Sequence, residues 1–160
     1  MTNALAYPKN LTGNHFLNVN DVEEYYFVVG KKKNLGINDS LDDMYAQIRQ
    51  TLEYRGLGDL KPVFCRIFFD DITNQFKSYL KSDLCSYLQN SACSYIQQES
   101  VFKGVSALFY FINDKRQTSH TVKTLSRGDI TNNVLVEGRN YNQLWSCNLR
   151  DDNGVFDSEQ

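Results

Sequence analysis

The chain has 160 residues, 41% of them hydrophobic and 22% charged, with a formal net charge of -2. That length and balance suit a folded domain with a real core and exclude a disordered tail. The slightly acidic total gives no global attraction to nucleic acid, so no nucleic-acid partner is expected.

No apolar run approaches the roughly 18 residues that a membrane-crossing helix needs, so no membrane partner is expected. Residues 1–12 are polar, contain Pro8 and do not resemble a secretory signal. Cys65, Cys85, Cys93 and Cys147 fit no zinc-ligand spacing. Unpaired thiols in a reducing, cytoplasmic setting are the expectation, with no metal and no cofactor. Lys31-Lys32-Lys33 is the one tight basic run and reads as a hairpin tip or loop.

In chain order, residues 1–14 read as an irregular lead-in. His15 to Val19 alternates, Asn20-Asp21 marks a turn, and Tyr25 to Val29 reads as a second strand closed by Gly30. These two strands predict a hairpin. A loop from Lys31 to Asp39 follows, and Ser40-Leu41-Asp42-Asp43 resembles a capping box. Met44, Ile48 and Leu52 predict a helix with one sheet-covering face, ended at Arg55-Gly56.

The chain is organised around Pro62 to Leu88. Val63, Cys65, Ile67 and Phe69 share one strand face, and Phe64, Arg66 and Phe68 share the other. A strand apolar on nearly both faces predicts an interior position. Arg66 is the exception: either it snorkels near an edge or it contacts an anion in a pocket. Asp70 or Asp71 caps a second helix, whose four-residue period (Ile72, Phe76, Leu80, Leu84, Leu88) predicts a single element to Leu88. Residues 90–94 read as a small-residue linker and Tyr95 to Gln98 as a short strand. Val105 to Ile112 is the longest strand signal. Residues 115–132 read as a linker. Residues 133–137 and 143–147 read as a further strand pair.

This order predicts an α+β domain, a mixed β-sheet covered on one face by two helices. The division expected is a module over residues 1–125 and a hairpin and tail over residues 126–160. The second part reads as the start of a similar module or an addition to the sheet, because a two-stranded hairpin is marginal alone.

Asp43 to Leu52, with Gln47 followed by Thr51-Leu52, resembles the first helix of the RidA/YjgF family, also called endoribonuclease L-PSP-like. Leu57 to Asp71 is similar to that family's short link and strand ending in Asp. Val105 to Ile112 is similar to its last core strand. The resemblance implies a chorismate-mutase-like fold and a trimer, with sheets inside and pockets between subunits. It implies a neighbour on the second sheet face. The tail from Val134 resembles the opening hairpin of another copy, as in longer, chorismatase-like members.

The family's deaminase pattern is departed from. Its substrate-binding arginine would fall in Ser91-Ala92-Cys93-Ser94-Tyr95, nearest Ala92 or Cys93, and its glutamate nearest Phe109. Its pocket asparagine would fall near Leu80. No catalytic residue is therefore assigned. Gly30 matches the glycine beside the family's pocket, and Tyr26, Tyr95, Gln97 and Tyr110 offer aromatic walls and a polar handle. With Arg66, Cys93 and Phe109 these form the candidate pocket.

Two functions follow. One is a structural module, or one that binds a small metabolite at a subunit interface, without imine deaminase chemistry. The other is a hydrolase of a small carboxylated substrate, an imine deaminase or chorismatase-like enzyme, with Arg66 as the carboxylate contact. Cys93 as a nucleophile lacks a histidine context: His15 starts a strand and His120 lies in the polar linker.

Overall fold

The computed structural model describes residues 11–17, 22–30, 35–98, 104–113, 121–126, 132–138 and 142–146. Five strands form the main sheet: β1 (Leu11–Leu17), β2 (Glu23–Gly30), β3 (Phe64–Phe69), β4 (Ala92–Gln97) and β5 (Ser106–Asn113). Their order is β1-β2-β5-β3-β4, with only β3 and β4 parallel. β1 and β2 pair antiparallel as expected, but β1 starts at Leu11 rather than His15, so residues 11–14 of the expected irregular lead-in are strand, paired along β2. β3 is interior, as its two apolar faces require. Helices α1 (Ile37–Tyr54), α2 (Ile72–Tyr79) and α3 (Asp83–Tyr87) cover one face. The chain is thus an α+β protein with a mixed sheet and its helices on one side.

The core between helices and sheet follows from alternation and helical period. Leu41, Met44, Ile48 and Leu52 of α1 are fully buried against Phe27, Ile67 and Phe109 of the strands. Each such side chain contributes about 1.5–3 kcal/mol through the surface it removes from water. At Gly13 an added Cβ would lie 2.4 Å from the Phe27 ring, so β1 passes Phe27 only because that position has no side chain.

Several local expectations are corrected. α1 starts at Ile37, so the predicted loop to Asp39 is shorter, and Ser40 is not its cap. Gly36 is the N-cap, and the Ser40 hydroxyl donates back to the Gly36 carbonyl at 2.5 Å. Starting a turn earlier lets Ile37 pack on the core. Asp43 does not complete a capping box either; it accepts from Gln47 Nε2 at 2.6 Å. The stop is as expected, with Arg55 as the C-cap and Gly56 at φ 70°.

The second predicted helix is two. Each four-residue step over-rotates a 3.6-residue helix by about 40°, so five residues on that period cannot all face the core. Leu80 is where the drift shows, at 54% exposure. The chain breaks there and Ser82 restarts it: its hydroxyl donates to the Tyr79 carbonyl at 2.7 Å and accepts from the Cys85 amide at 3.2 Å. Leu84 and Leu88 are thereby returned to the core. Asp71 caps α2 through the Asn74 amide. Asp70 instead accepts from the Gly104 amide, beside the turn where Gly104 has φ 115°.

Two predicted linkers contain strands. β4 begins at Ala92 inside the small-residue stretch, because Ala92 and Cys93 are small enough to pack fully beside β3. The 115–132 linker contains β6 (Thr121–Ser126), where threonines and Val122 supply β-branched residues. Residues 115–120 and 127–131 of that linker lie outside the described residues, as do the Asn20-Asp21 turn, the Lys31–Lys33 run, His120 and the tail from Cys147.

β6 pairs antiparallel with β7 (Asn132–Glu137), and β7 with β8 (Asn142–Trp145). β6 spans the division expected at residue 125. The three-stranded meander lies on the second face of the main sheet. Val134 and Val136, both fully buried, and Trp145 pack against Val22, Phe64, Ala92, Tyr110 and Ile112.

Candidate functional site

The expected pocket residues divide between the two sheet faces. β5 sits between β2 and β3, which aligns Tyr26 with Tyr110 and Tyr110 with Phe64 across three strands. The next row along is Val28, Leu108, Arg66 and Ser94, and the one after is Gly30, Ser106, Phe68 and Ile96. Tyr26, Gly30, Arg66 and Tyr110 therefore belong to the second face.

Cys93 and Phe109 both flank Cys65 on the opposite face, in the core beneath the helices. Phe109 is fully buried, and Cys93 is 9% exposed with its thiol donating to the Leu88 carbonyl at 3.9 Å. Tyr95 also lies on the helix side, its hydroxyl 3.3 Å from that of Tyr79 and its ring edge-on to Phe76. Burial pushes both phenols up, the Cys93 thiol beside them adding to the effect. Gln97 ends β4 on the same side and is exposed. No single pocket holds all eight residues, because neighbouring strand positions alternate faces.

On the second face the side chains form a seam. The Tyr26 and Tyr110 rings lie 4.6 Å apart, Tyr110 and Trp145 4.6 Å, and Phe64 and Trp145 4.9 Å. The Tyr110 hydroxyl donates to Glu24 Oε2 at 2.8 Å, and Gln143 Oε1 lies 3.2 Å from it. That Tyr110–Gln143 contact ties the meander to the sheet by polar as well as apolar contact, and within β8 Trp145 Nε1 donates to the same Gln143 Oε1 at 3.4 Å. Burial, then the bond to Glu24, raises the Tyr110 phenol well above its ordinary value. It stays protonated at neutral pH and acts as a donor.

Among the described residues, the meander packs on one end of this face. Beside it, Val28 is 36% exposed, Arg66 is exposed, and Phe68, Ile96 and Leu108 are half-buried. Arg66 stands at the boundary, its guanidinium 5.6 Å from the Phe64 ring centre. Among the described residues of the second face it is the only cation. An arginine in an apolar surround is a fork for a carboxylate.

Sequence reasoning missed Glu24, Gln143 and Trp145. Alternation put Glu24 on the face of Tyr26, and the lone tryptophan was a signal for an aromatic seam, but no pattern told which sheet the last strands would join. It also missed an open, polar cleft of about 520 Å³ on the helix side, bordered by Asp42, Asn74, Lys77, Lys81 and Asp83. None of the expected pocket residues borders it.

Among the described residues there is no group of side chains able to hold a metal ion, and no helix is long and apolar enough to cross a membrane. No family model, no curated protein and no solved structure matches this chain.

Proposed function

We propose that the chain is a RidA-like module of the chorismate-mutase-like kind, serving as a non-catalytic assembly module in a homo-oligomer, a trimer in the manner of that family. The observation that carries the reading is the half-covered second face. A sheet surface bearing Val28, Phe68, Ile96 and Leu108 beside water favours a protein partner. The element order and the helices on one side suit such a module. The position nearest the family's arginine holds Ala92 or Cys93, and the one nearest its glutamate holds Phe109. Cys93 and Phe109 pack beneath the helices and Ala92 packs in the second-face cluster, which favours assembly over deamination.

Sedimentation velocity over a concentration series tests this. A trimer is the expected outcome; a monomer throughout the series would remove the assembly reading.

Arg66 favours a second reading, in which the open half binds a small carboxylated metabolite, as a binding site or as part of a hydrolase. Titration with 2-oxobutyrate followed by NMR checks it. Shifts confined to the Arg66 row, absent in Arg66→Ala, would support it, and no shift at millimolar ligand would count against it.

A further inference from the structure

We propose that the cleft on the helix side binds a small zwitterion, an amino acid or short peptide with both a free ammonium and a free carboxylate. This site is separate from the sheet's second face and does not depend on assembly.

The cleft is a gap between two helical walls. α1 supplies Asn38 and Asp42, one turn apart and so on the same side of the helix. α2 supplies Asn74, Lys77 and Ser78 by the same spacing rule, and Lys81 follows just after the helix ends at Leu80. Asp83, the first residue of α3, completes the row. The other side of α2, with Ile72, Phe76 and Tyr79, packs on the core. Packed helices usually meet through interlocking side chains. Here the side chains bordering the gap are polar, and they leave about 520 Å³ between them, a size typical of small-molecule sites.

The charges around the gap are balanced but unmet. Two lysines and two aspartates border it. Among the described residues, none of these four side chains makes an ion pair or a hydrogen bond. The half-buried Ser78 hydroxyl likewise has no hydrogen bond among them. A simple anion would be drawn to the lysines and repelled by the aspartates, and a simple cation the reverse. A molecule that carries both charges satisfies both sets.

The two walls also give the ligand a direction. Its carboxylate lies at Lys77 and Lys81, with the Ser78 hydroxyl as a further donor. Its ammonium crosses to Asp42, where the Asn38 side-chain carbonyl is a further acceptor. Asp83 sets a negative charge close to the lysines in the chain, which favours one carboxylate over two.

NMR titration of the full chain with glycylglycine tests this. The controls are N-acetylglycylglycine, which lacks the ammonium, and glycylglycinamide, which lacks the carboxylate. Saturable amide shifts are expected around Asn38, Asp42 and residues 74–83 at millimolar glycylglycine. Each one-charged analogue is expected to bind about fivefold more weakly or worse. Asp42→Asn is expected to weaken glycylglycine by a similar factor and to leave the acetylated analogue unchanged. Lys77→Gln combined with Lys81→Gln is expected to weaken glycylglycine and to leave the amide analogue unchanged. All three side chains are exposed, so these variants keep the fold. Any of three results overturns the proposal: no saturable shift at tens of millimolar, equal shifts from all three molecules, or binding that survives both variants. Shifts confined to the Arg66 row would place the ligand on the second face and overturn it as well.

Discussion

The two faces of the five-stranded sheet are built from similar apolar and aromatic side chains, yet they end differently. On the helix side, Phe27, Ile67, Phe109 and Phe111 are fully buried beneath three helices. On the other side the aromatic seam of Tyr26, Phe64, Tyr110 and Trp145 gives way to the half-exposed strip around Arg66. Burial by long amphipathic helices accounts for the first face. Among the described residues the second is covered by β7 and β8, strands of six and four residues, whose Val134, Val136 and Trp145 pack on one end of it. A finished face is where a protein keeps its stability, and an unfinished one is where it meets other molecules.

The largest effect that sharpens this contrast is alkaline. Burial, with a bond to Glu23, pushes the Tyr25 phenol up to about 12, and burial does the same to Tyr87. Tyr79 and Tyr95, on the same side, are also raised. An unfolded phenol ionises near about pH 10. The folded values lie above it, so these phenols' contribution is complete below about pH 10 and is lost as pH rises through about 12. Phenolate absorbance and circular dichroism are expected to change together in one unfolding transition. Ionisation of all these tyrosines with the dichroism intact would mean the helix side is not closed to water.

Phe109→Ala comes next. It empties the middle of the finished core and is expected to cost about 3–5 kcal/mol by urea unfolding. Tyr110→Phe tests the seam. Glu24, 7% exposed, loses a donor at 2.8 Å, at an expected cost of about 1–3 kcal/mol. The same change should loosen the meander, read as a larger Trp145 emission shift in mild urea than in the native chain. The smallest is Ser82→Ala, which removes the side-chain cap of α3 at about 1 kcal/mol without touching either sheet face. If Tyr110→Phe matched Phe109→Ala in cost, the seam would have to be counted as core rather than as a cover.

Much of the fold was legible where one period dominated. β2, β3 and β5 follow from runs of β-branched and aromatic residues, and α1 from Met44, Ile48 and Leu52. The helix break at Leu80 was not, because a four-residue repeat looks helical for longer than helix geometry lets it stay buried. β6 was hidden by its polar residues. The candidate site was legible only in part. Alternation alone puts Arg66 opposite to Ile67, but the separation of Tyr26 and Tyr110 from Cys93 and Phe109 depends on register between distant strands. The covering of the sheet's second face by β7 and β8 depends on tertiary packing, for which local sequence carries no signal.

The place of β5 has a consequence for how the chain is made. β5 is last of the five main strands in sequence, and it lies between β2 and β3. A ribosome therefore delivers the β1–β2 hairpin and the β3-to-β4 unit as separate half-sheets with nothing to join them. Each half holds an unpaired inner edge until residues 106–113 emerge. The join is then a single late event spanning most of the chain, which predicts slow, cooperative folding. It also leaves a period during synthesis when two sticky edges are open to the wrong strand, and to chaperones that bind such edges.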